Sequence, residues 1–159
     1  MINCLPRSLC SWDFTASGLS LGPATVEYDW LTEQGRSVIA HNDYDIRKHG
    51  VVSGHWTYEQ CGRLVADAHK PSAMFRTFDI SCRSEGLSLT LQAESAFHRA
   101  FEIISEQRVV GRISPAHPFT RRATIQCSDV VPEHLQLFAF WLAGLAWRRS
   151  ARSNSSAAS

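Results

Sequence analysis

A nearly uninterrupted apolar segment close to the end of the chain constrains the fold more than any other feature. Residues 135–147 read LQLFAFWLAGLAW, with Gln136 as the one polar side chain among thirteen, and Arg148 and Arg149 follow directly. An α-helix of this length measures ~20 Å, whereas a membrane span needs ~20 apolar residues to cross ~30 Å of hydrocarbon. The preceding residues Pro132, Glu133 and His134 do not lengthen the apolar segment, so it is short for a membrane anchor.

This predicted helix is apolar on every side. Leu135 and Phe138 belong to one face, Phe140 and Trp141 belong to another, and alanines fill the rest. A helix without a polar face is surrounded either by lipid or by protein. One face of a sheet covers only one side of it, whereas a closed barrel covers all sides. Because an eight-stranded barrel is filled by its own side chains, enclosing a helix requires about ten to twelve strands.

Alternation with a period of two predicts ten short strands upstream of the helix. Leu87, Leu89 and Leu91 alternate with polar residues, which is typical of a half-buried strand. Short strands between turn residues favour an antiparallel sandwich or barrel over βαβ units. The predicted strands are 12–16, 24–31, 36–41, 50–57, 62–69, 74–82, 86–92, 97–105, 107–114 and 118–127.

The predicted fold is therefore mostly β, an antiparallel barrel of about ten to twelve strands enclosing a hydrophobic C-terminal helix. It forms a single domain over residues 1–149, with the helix at about 132–148. The polar stretch 41–45, HNDYD, is predicted to be a hairpin turn because of its composition. The small polar residues 150–159 predict a disordered tail. The alternative is a tail-anchored membrane protein that uses 135–147 as its anchor.

Five stretches carry a resemblance to a known family: GHWTYEQCGRLVADAHK (54–70), FRTFDISC (75–82), GLSLTLQ (86–92), FEIISEQRVVGRIS (101–114) and LFAFWLAGLAWRR (137–149). Their order resembles the tubby C-terminal-like superfamily, which includes the phospholipid scramblases and the plant LURP-one-related proteins. The resemblance implies a twelve-stranded barrel around a hydrophobic C-terminal helix, and binding of lipid headgroups or proteins rather than catalysis. No match to the tubby phosphoinositide residues or to a scramblase calcium site is present, so neither is carried over.

A basic rim follows from the predicted strand order. If the last five strands form an up-and-down meander, then 74–82, 97–105 and 118–127 run in one direction. Each has an arginine near its start in the inward-facing row, so the three arginines share one rim. A helix that returns through the barrel brings its two terminal arginines to the same rim, and a further arginine points outward there. The predicted anion-binding residues are Arg76, Arg99, Arg121, Arg122, Arg148 and Arg149.

Two interpretations of this rim are open. Residues 99–159 carry 8 Arg or Lys against 4 Asp or Glu, although the net charge of the whole chain is only +1. Guanidinium groups suit phosphate and carboxylate, so the rim could bind anionic phospholipid headgroups or an acidic protein surface. In the structural interpretation, the arginines close the barrel mouth by capping carbonyl groups or by pairing with Asp79 and Glu102.

The sequence contains no motif for catalysis, a metal, a cofactor or a phosphate-binding loop. Seven histidines lack an i, i+4 pair, and five cysteines form no C-x-x-C pair, which predicts a reducing compartment. We therefore expect a non-enzymatic binding domain without cofactor, nucleic acid or metal, cytoplasmic or peripheral at the inner membrane surface. The first residues contain no apolar run of signal-peptide length. An enzyme with an unrecognised site is the other alternative.

Overall fold

Most strands of the protein bury alternate side chains, and the strands together enclose one helix. The computed structural model describes residues 1–8, 11–50, 52, 54–95, 98–117 and 120–156, with side chains to residue 152. The strands are β1 (Ile2–Pro6), β2 (Phe14–Ser17), β3 (Ala24–Asp29), β4 (Gln34–Ile39), β5 (Asn42–Lys48), β6 (His55–Gln60), β7 (Arg63–His69), β8 (Thr77–Cys82), β9 (Leu87–Ala93), β10 (Phe101–Ser105), β11 (Arg108–Pro115) and β12 (Ala123–Cys127), and the helix is α1 (Glu133–Ser156).

The sheet is a closed antiparallel barrel in which each strand pairs with its neighbours along the chain. The first strand closes the ring because it pairs with both β12 and β2, with Ile2 opposite Ile125 and Leu5 opposite Thr15. The predicted fold class is therefore confirmed, at the upper end of the predicted strand number. The meander formed by β8 to β12 is also confirmed.

Two strands were not predicted, and one predicted turn is wrong. The stretch 41–45 is not a hairpin turn, because Asn42–Lys48 forms β5 and the turn lies at 40–41. Tyr44 and Ile46 point inward, while the charged residues that alternate with them, Asp43, Asp45 and Arg47, face outward. The prediction failed because the polar residues on the outer face of a half-buried strand are of the same types as those found in turns. The other missed strand, β1, is short and has only two inward apolar residues, Ile2 and Cys4.

The apolar segment lies inside the barrel. Every residue from 135 to 147 is buried, so protein surrounds the helix on all sides, as its composition requires. Gln136, its one polar side chain, donates from Nε2 to the Val131 carbonyl oxygen at 2.7 Å. In the described part of the chain, no helix has the length and apolar character needed to cross a bilayer.

The helix is longer than the sequence predicted. It begins at Glu133, one residue after Pro132, whose carbonyl accepts the amide of Gln136 at 3.0 Å. It continues to Ser156, so residues 150–156 are helical rather than disordered, and the prediction for 157–159 lies outside the described residues. The extension has a simple reason, because no Gly or Pro interrupts the Arg, Ser and Ala residues that follow the apolar segment.

Close backbone packing holds the helix against β3 and β4. The Tyr28 hydroxyl donates to the Trp141 carbonyl at 2.7 Å, and the two rings stack with centroids 5.1 Å apart. Trp141 Nε1 donates to the Glu27 carbonyl at 3.2 Å. Both contacts need space that only glycine leaves: a Cβ on Gly144 would overlap the Tyr28 hydroxyl, and one on Gly35 would overlap Trp141.

We predict that Gly144→Ala lowers the free energy of unfolding by about 1–3 kcal/mol, because the added methyl group overfills this contact. On an exposed helix the same change would stabilise by ~1 kcal/mol. The control is Tyr28→Phe/Gly144→Ala, in which removal of the hydroxyl makes room for the methyl group. Urea unfolding of both single variants and the double variant measures the coupling. Equal effects of Gly144→Ala with and without the Tyr28 hydroxyl would contradict this account.

Candidate functional site: the basic rim

The barrel has two rims with opposite charge. One rim, called the basic rim here, consists of the C-terminal part of α1, 148–152, and the described loop residues 7–8, 11–13, 30–33, 49–50, 52, 54, 70–76, 94–95, 98–100, 116–117 and 120–122. These segments contain nine Arg and Lys residues against three Asp and Glu residues. The opposite rim consists of 18–23, 40–41, 61–62, 83–86, 106–107 and 128–133, with one basic residue against four acidic residues. The protein is therefore electrically polarised along the barrel axis.

Three of the predicted arginines close the mouth of the barrel by capping backbone carbonyls of the adjacent loops. Arg76 donates to the carbonyls of Ser95 and His98. The other two make bonds of the same kind, Arg99 Nη1 to Thr120 O at 2.9 Å and Arg121 Nη1 to Ser11 O at 2.6 Å.

Each capping guanidinium also lies over an aromatic ring. Arg76, Arg99 and Arg121 are 5.7, 4.7 and 5.5 Å from the ring centres of Phe101, Trp147 and Trp12, respectively. Carbonyl capping is thus the structural role that the sequence allowed for these residues, and it leaves their positive charge at the rim.

The end of α1 supplies the rest of the charge. Arg148 and Arg152 lie against the Trp30 ring, 5.2 and 5.7 Å from its centre. Arg149 instead makes a bidentate ion pair with Glu33, at 2.8 and 2.7 Å, and lies 5.4 Å from the Trp56 ring centre.

Glu33 is the anchor of the helix end. Besides Arg149, its carboxylate binds the ammonium of Lys48, and its carbonyl accepts Trp56 Nε1 at 3.0 Å. The hydrogen bond from Arg149 is the largest cause that lowers the pKa of Glu33 to about 2, and Lys48 contributes. One carboxylate therefore joins the end of the helix, strand β5 and the loop at 30–33.

Like charges are close to one another at this rim. Burial lowers the pKa of Arg99, and the positive charge of Arg121 lowers it further. In the same way, burial and then the charge of Arg152 lower the pKa of Arg148. Guanidinium groups stay protonated in proteins, so an anion at the rim would relieve their mutual repulsion.

Large apolar side chains are exposed beside these cations. Trp30 and Leu31 are 50% and 74% exposed in the loop next to the helix end, and Met74 and Phe75 are 88% and 68% exposed directly before Arg76. A cleft of about 560 Å³ separates the second pair from the helix, with Lys70, Arg76 and Arg149 among its lining residues.

Of the six predicted anion-binding residues, Arg76 and Arg149 line one cleft, and Arg99 and Arg121 lie close together at the same mouth. Arg148 is at the helix end, and Arg122 is exposed at the start of β12. Sequence analysis missed Arg152, because it fell in the predicted tail. It also missed the rim residues Lys70, Trp30, Leu31, Met74 and Phe75, whose exposure the sequence pattern does not reveal.

A second cluster lies on the outer wall of the barrel, where three histidine rings form a row. His55 lies between the other two, with ring centroids 4.8 Å from His49 and 4.1 Å from His69. The Asp67 carboxylate is 3.2 Å from His69 Nε2. Three of the seven histidines thus lie together, although their positions in the sequence suggest that they are scattered. The sheet register pairs His55 with His69. A sequence-based alignment of β6 with β7 in this register would have predicted that the two histidines meet.

A scan against protein-family models finds no match to the chain. A search of curated proteins also finds no match, and neither does a search of solved structures.

We predict that Glu33→Gln destabilises the protein by about 1–2 kcal/mol at neutral pH, because Arg149 and Lys48 lose their charged partner. The folded state lowers the pKa of Glu33 from 4.5 to about 2. Its stabilising effect is therefore complete above the unfolded value and is lost as the pH falls through this interval.

Urea unfolding at neutral pH and near pH 2, which is about the pKa of Glu33 in the folded state, measures the effect. The stability difference between the parent and Glu33→Gln should shrink in acid. Glu27→Gln is the matched control, because Glu27 pairs with Arg7 at 3.2 Å on the surface, where ion pairs contribute about 0–1 kcal/mol. A difference between parent and Glu33→Gln that stays constant with pH would contradict the assignment.

Proposed function

We propose that the protein is a non-enzymatic binding domain that docks on anionic membrane surfaces through its basic rim. The arginines would attract lipid phosphates and carboxylates, while the exposed apolar side chains would enter the headgroup region. Basic residues near anionic lipid each contribute ~1 kcal/mol, and aromatic side chains favour the membrane interface.

The observation that carries this proposal is the coincidence of charge and apolar exposure at one rim. Trp30 is half exposed and lies against two arginines, and Met74 and Phe75 project beside Arg76. An acidic protein would be attracted by the same charge, but exposed apolar tips favour a lipid surface over a polar protein surface. The opposite rim also exposes Leu21 and Val130, but its loops are acidic.

The resemblance to the tubby C-terminal-like superfamily agrees with this proposal, since that family binds lipid headgroups or proteins. A barrel enclosing a C-terminal helix is the architecture that the resemblance implies. We also propose that the chain is a member of this superfamily. The charge and apolar exposure of the basic rim support membrane docking without it.

We predict that Arg148→Gln/Arg152→Gln weakens binding to mixed phosphatidylcholine and phosphatidylserine vesicles by roughly 30-fold, because two charges of ~1 kcal/mol each are lost. Vesicle co-sedimentation measures the affinity. These two arginines suit the test better than Arg149, whose removal would also leave Glu33 without its principal partner. Binding of the parent should weaken as salt is added.

The matched control is Arg83→Gln/Arg108→Gln. It removes the same net charge from two exposed arginines at or next to the opposite rim and should bind like the parent. Equal losses in both double variants would mean that net charge alone is responsible. Failure of the parent to sediment with the anionic vesicles, or unchanged binding of Arg148→Gln/Arg152→Gln, would overturn the proposal.

We predict that Trp30 reports the docking directly. It is half exposed, whereas Trp12 is partly buried beneath Arg121, and Trp56, Trp141 and Trp147 are buried. Anionic vesicles should therefore shift the fluorescence emission to shorter wavelength and protect it from iodide quenching. Trp30→Phe should retain binding but lose most of the spectral change. If the emission of Trp30→Phe shifts by the same amount, the contact with the vesicle does not involve Trp30.

A further inference from the structure

Two strands bring three metal-ligating side chains together on the outer wall of the barrel. His55 in β6 is directly opposite His69 in β7, and Asp67 stands two residues before His69 on the same face. One ligand atom from each of the three lies within 4.8 Å of the others. We propose that His55, Asp67 and His69 bind a divalent transition-metal ion of the zinc type.

The backbone already has the arrangement that such a site requires. Residues at i and i+2 of a strand project from one face, and the directly opposite residue on the next strand projects beside them. Three donors bound at 2.0–2.1 Å to one tetrahedral ion lie about 3.4 Å apart. Rotation of side chains can close the remaining gap, because the side chain of His69 is 57% exposed.

The donor set selects the class of ion. Two imidazoles and one carboxylate suit Zn²⁺ or a neighbouring late transition metal, whereas Ca²⁺ and Mg²⁺ prefer oxygen ligands alone. Three protein ligands leave one tetrahedral position for water or another small ligand. A surface groove of about 440 Å³, lined in part by Asp67, His69 and Asp79, lies beside the cluster. This groove provides room for the fourth ligand.

A hydrogen-bonded chain holds the neighbouring ring in place. Thr57 Oγ1 donates to Glu59 Oε1 at 2.8 Å and therefore accepts from His49 Nε2, also at 2.8 Å. His49 is fixed in this way and stacks on His55, which limits the freedom of the His55 ring. Outer contacts that orient a ligand are a regular part of metal sites.

The test is isothermal titration calorimetry of the full chain with Zn²⁺ alone and without lipid. We expect one ion per chain, with an affinity that falls roughly tenfold or more in His55→Phe, His69→Phe and Asp67→Asn. The phenylalanine variants keep an aromatic ring at each strand position and remove the metal-ligating nitrogen atoms. Circular dichroism checks that each variant is folded.

Two controls test whether the cluster is responsible. His41→Phe removes an exposed imidazole at the opposite rim, and Cys61→Ser removes an exposed thiol in the β6–β7 turn. Neither should change the affinity, and X-ray absorption should detect nitrogen and oxygen ligands without sulfur. Absence of stoichiometric binding, unchanged affinity in His55→Phe and His69→Phe, or a sulfur ligand would overturn the proposal.

Discussion

Enclosure of an apolar helix by a closed sheet is the constraint on which the rest of this structure depends. Phe138, Phe140 and Trp141 are fully buried, and each such side chain contributes about 1.5–3 kcal/mol when removed from water. The sheet in turn needs the helix, because a twelve-stranded barrel has an interior that its own side chains do not fill. Helix and sheet therefore form one core, and the contacts of Tyr28 and Trp141 with the backbone hold them in register.

The same enclosure decides where charge accumulates. An up-and-down barrel with an even number of strands returns the chain to the rim where it began, and the helix then crosses the interior to the other rim. The C-terminal arginines consequently join those at the starts of β8, β10 and β12. Arg76, Arg99 and Arg121 satisfy loop carbonyls, and Glu33 holds the helix end through Arg149. The same side chains thus cap the loops, hold the end of the helix and make this rim positively charged.

A capping role and an anion-binding role do not exclude each other at this rim. A guanidinium has five N–H donors, so capping a loop carbonyl uses only part of its hydrogen-bonding capacity. The arginines are also stacked on aromatic rings, which fixes their position without neutralising their charge. Arg148 and Arg152 lie against the Trp30 ring, which is itself half exposed at the surface of the rim. The proposed metal cluster, by contrast, lies on the outer wall and uses none of these residues.

The sequence by itself determined the architecture, because the residues of 135–147 require complete enclosure, and alternation such as that of Leu87, Leu89 and Leu91 supplies the strands to enclose them. It also predicted the arginine rim, since strand direction follows from strand order. It missed β5, where polar residues such as Asp43 resemble a turn, and the last helical turns. The exposure of Trp30 and Phe75 and the meeting of His55 with His69 were decided only by the tertiary structure. Loop conformation and cross-strand register bring together residues far apart in the chain, and a local pattern of side chains contains no record of such pairings.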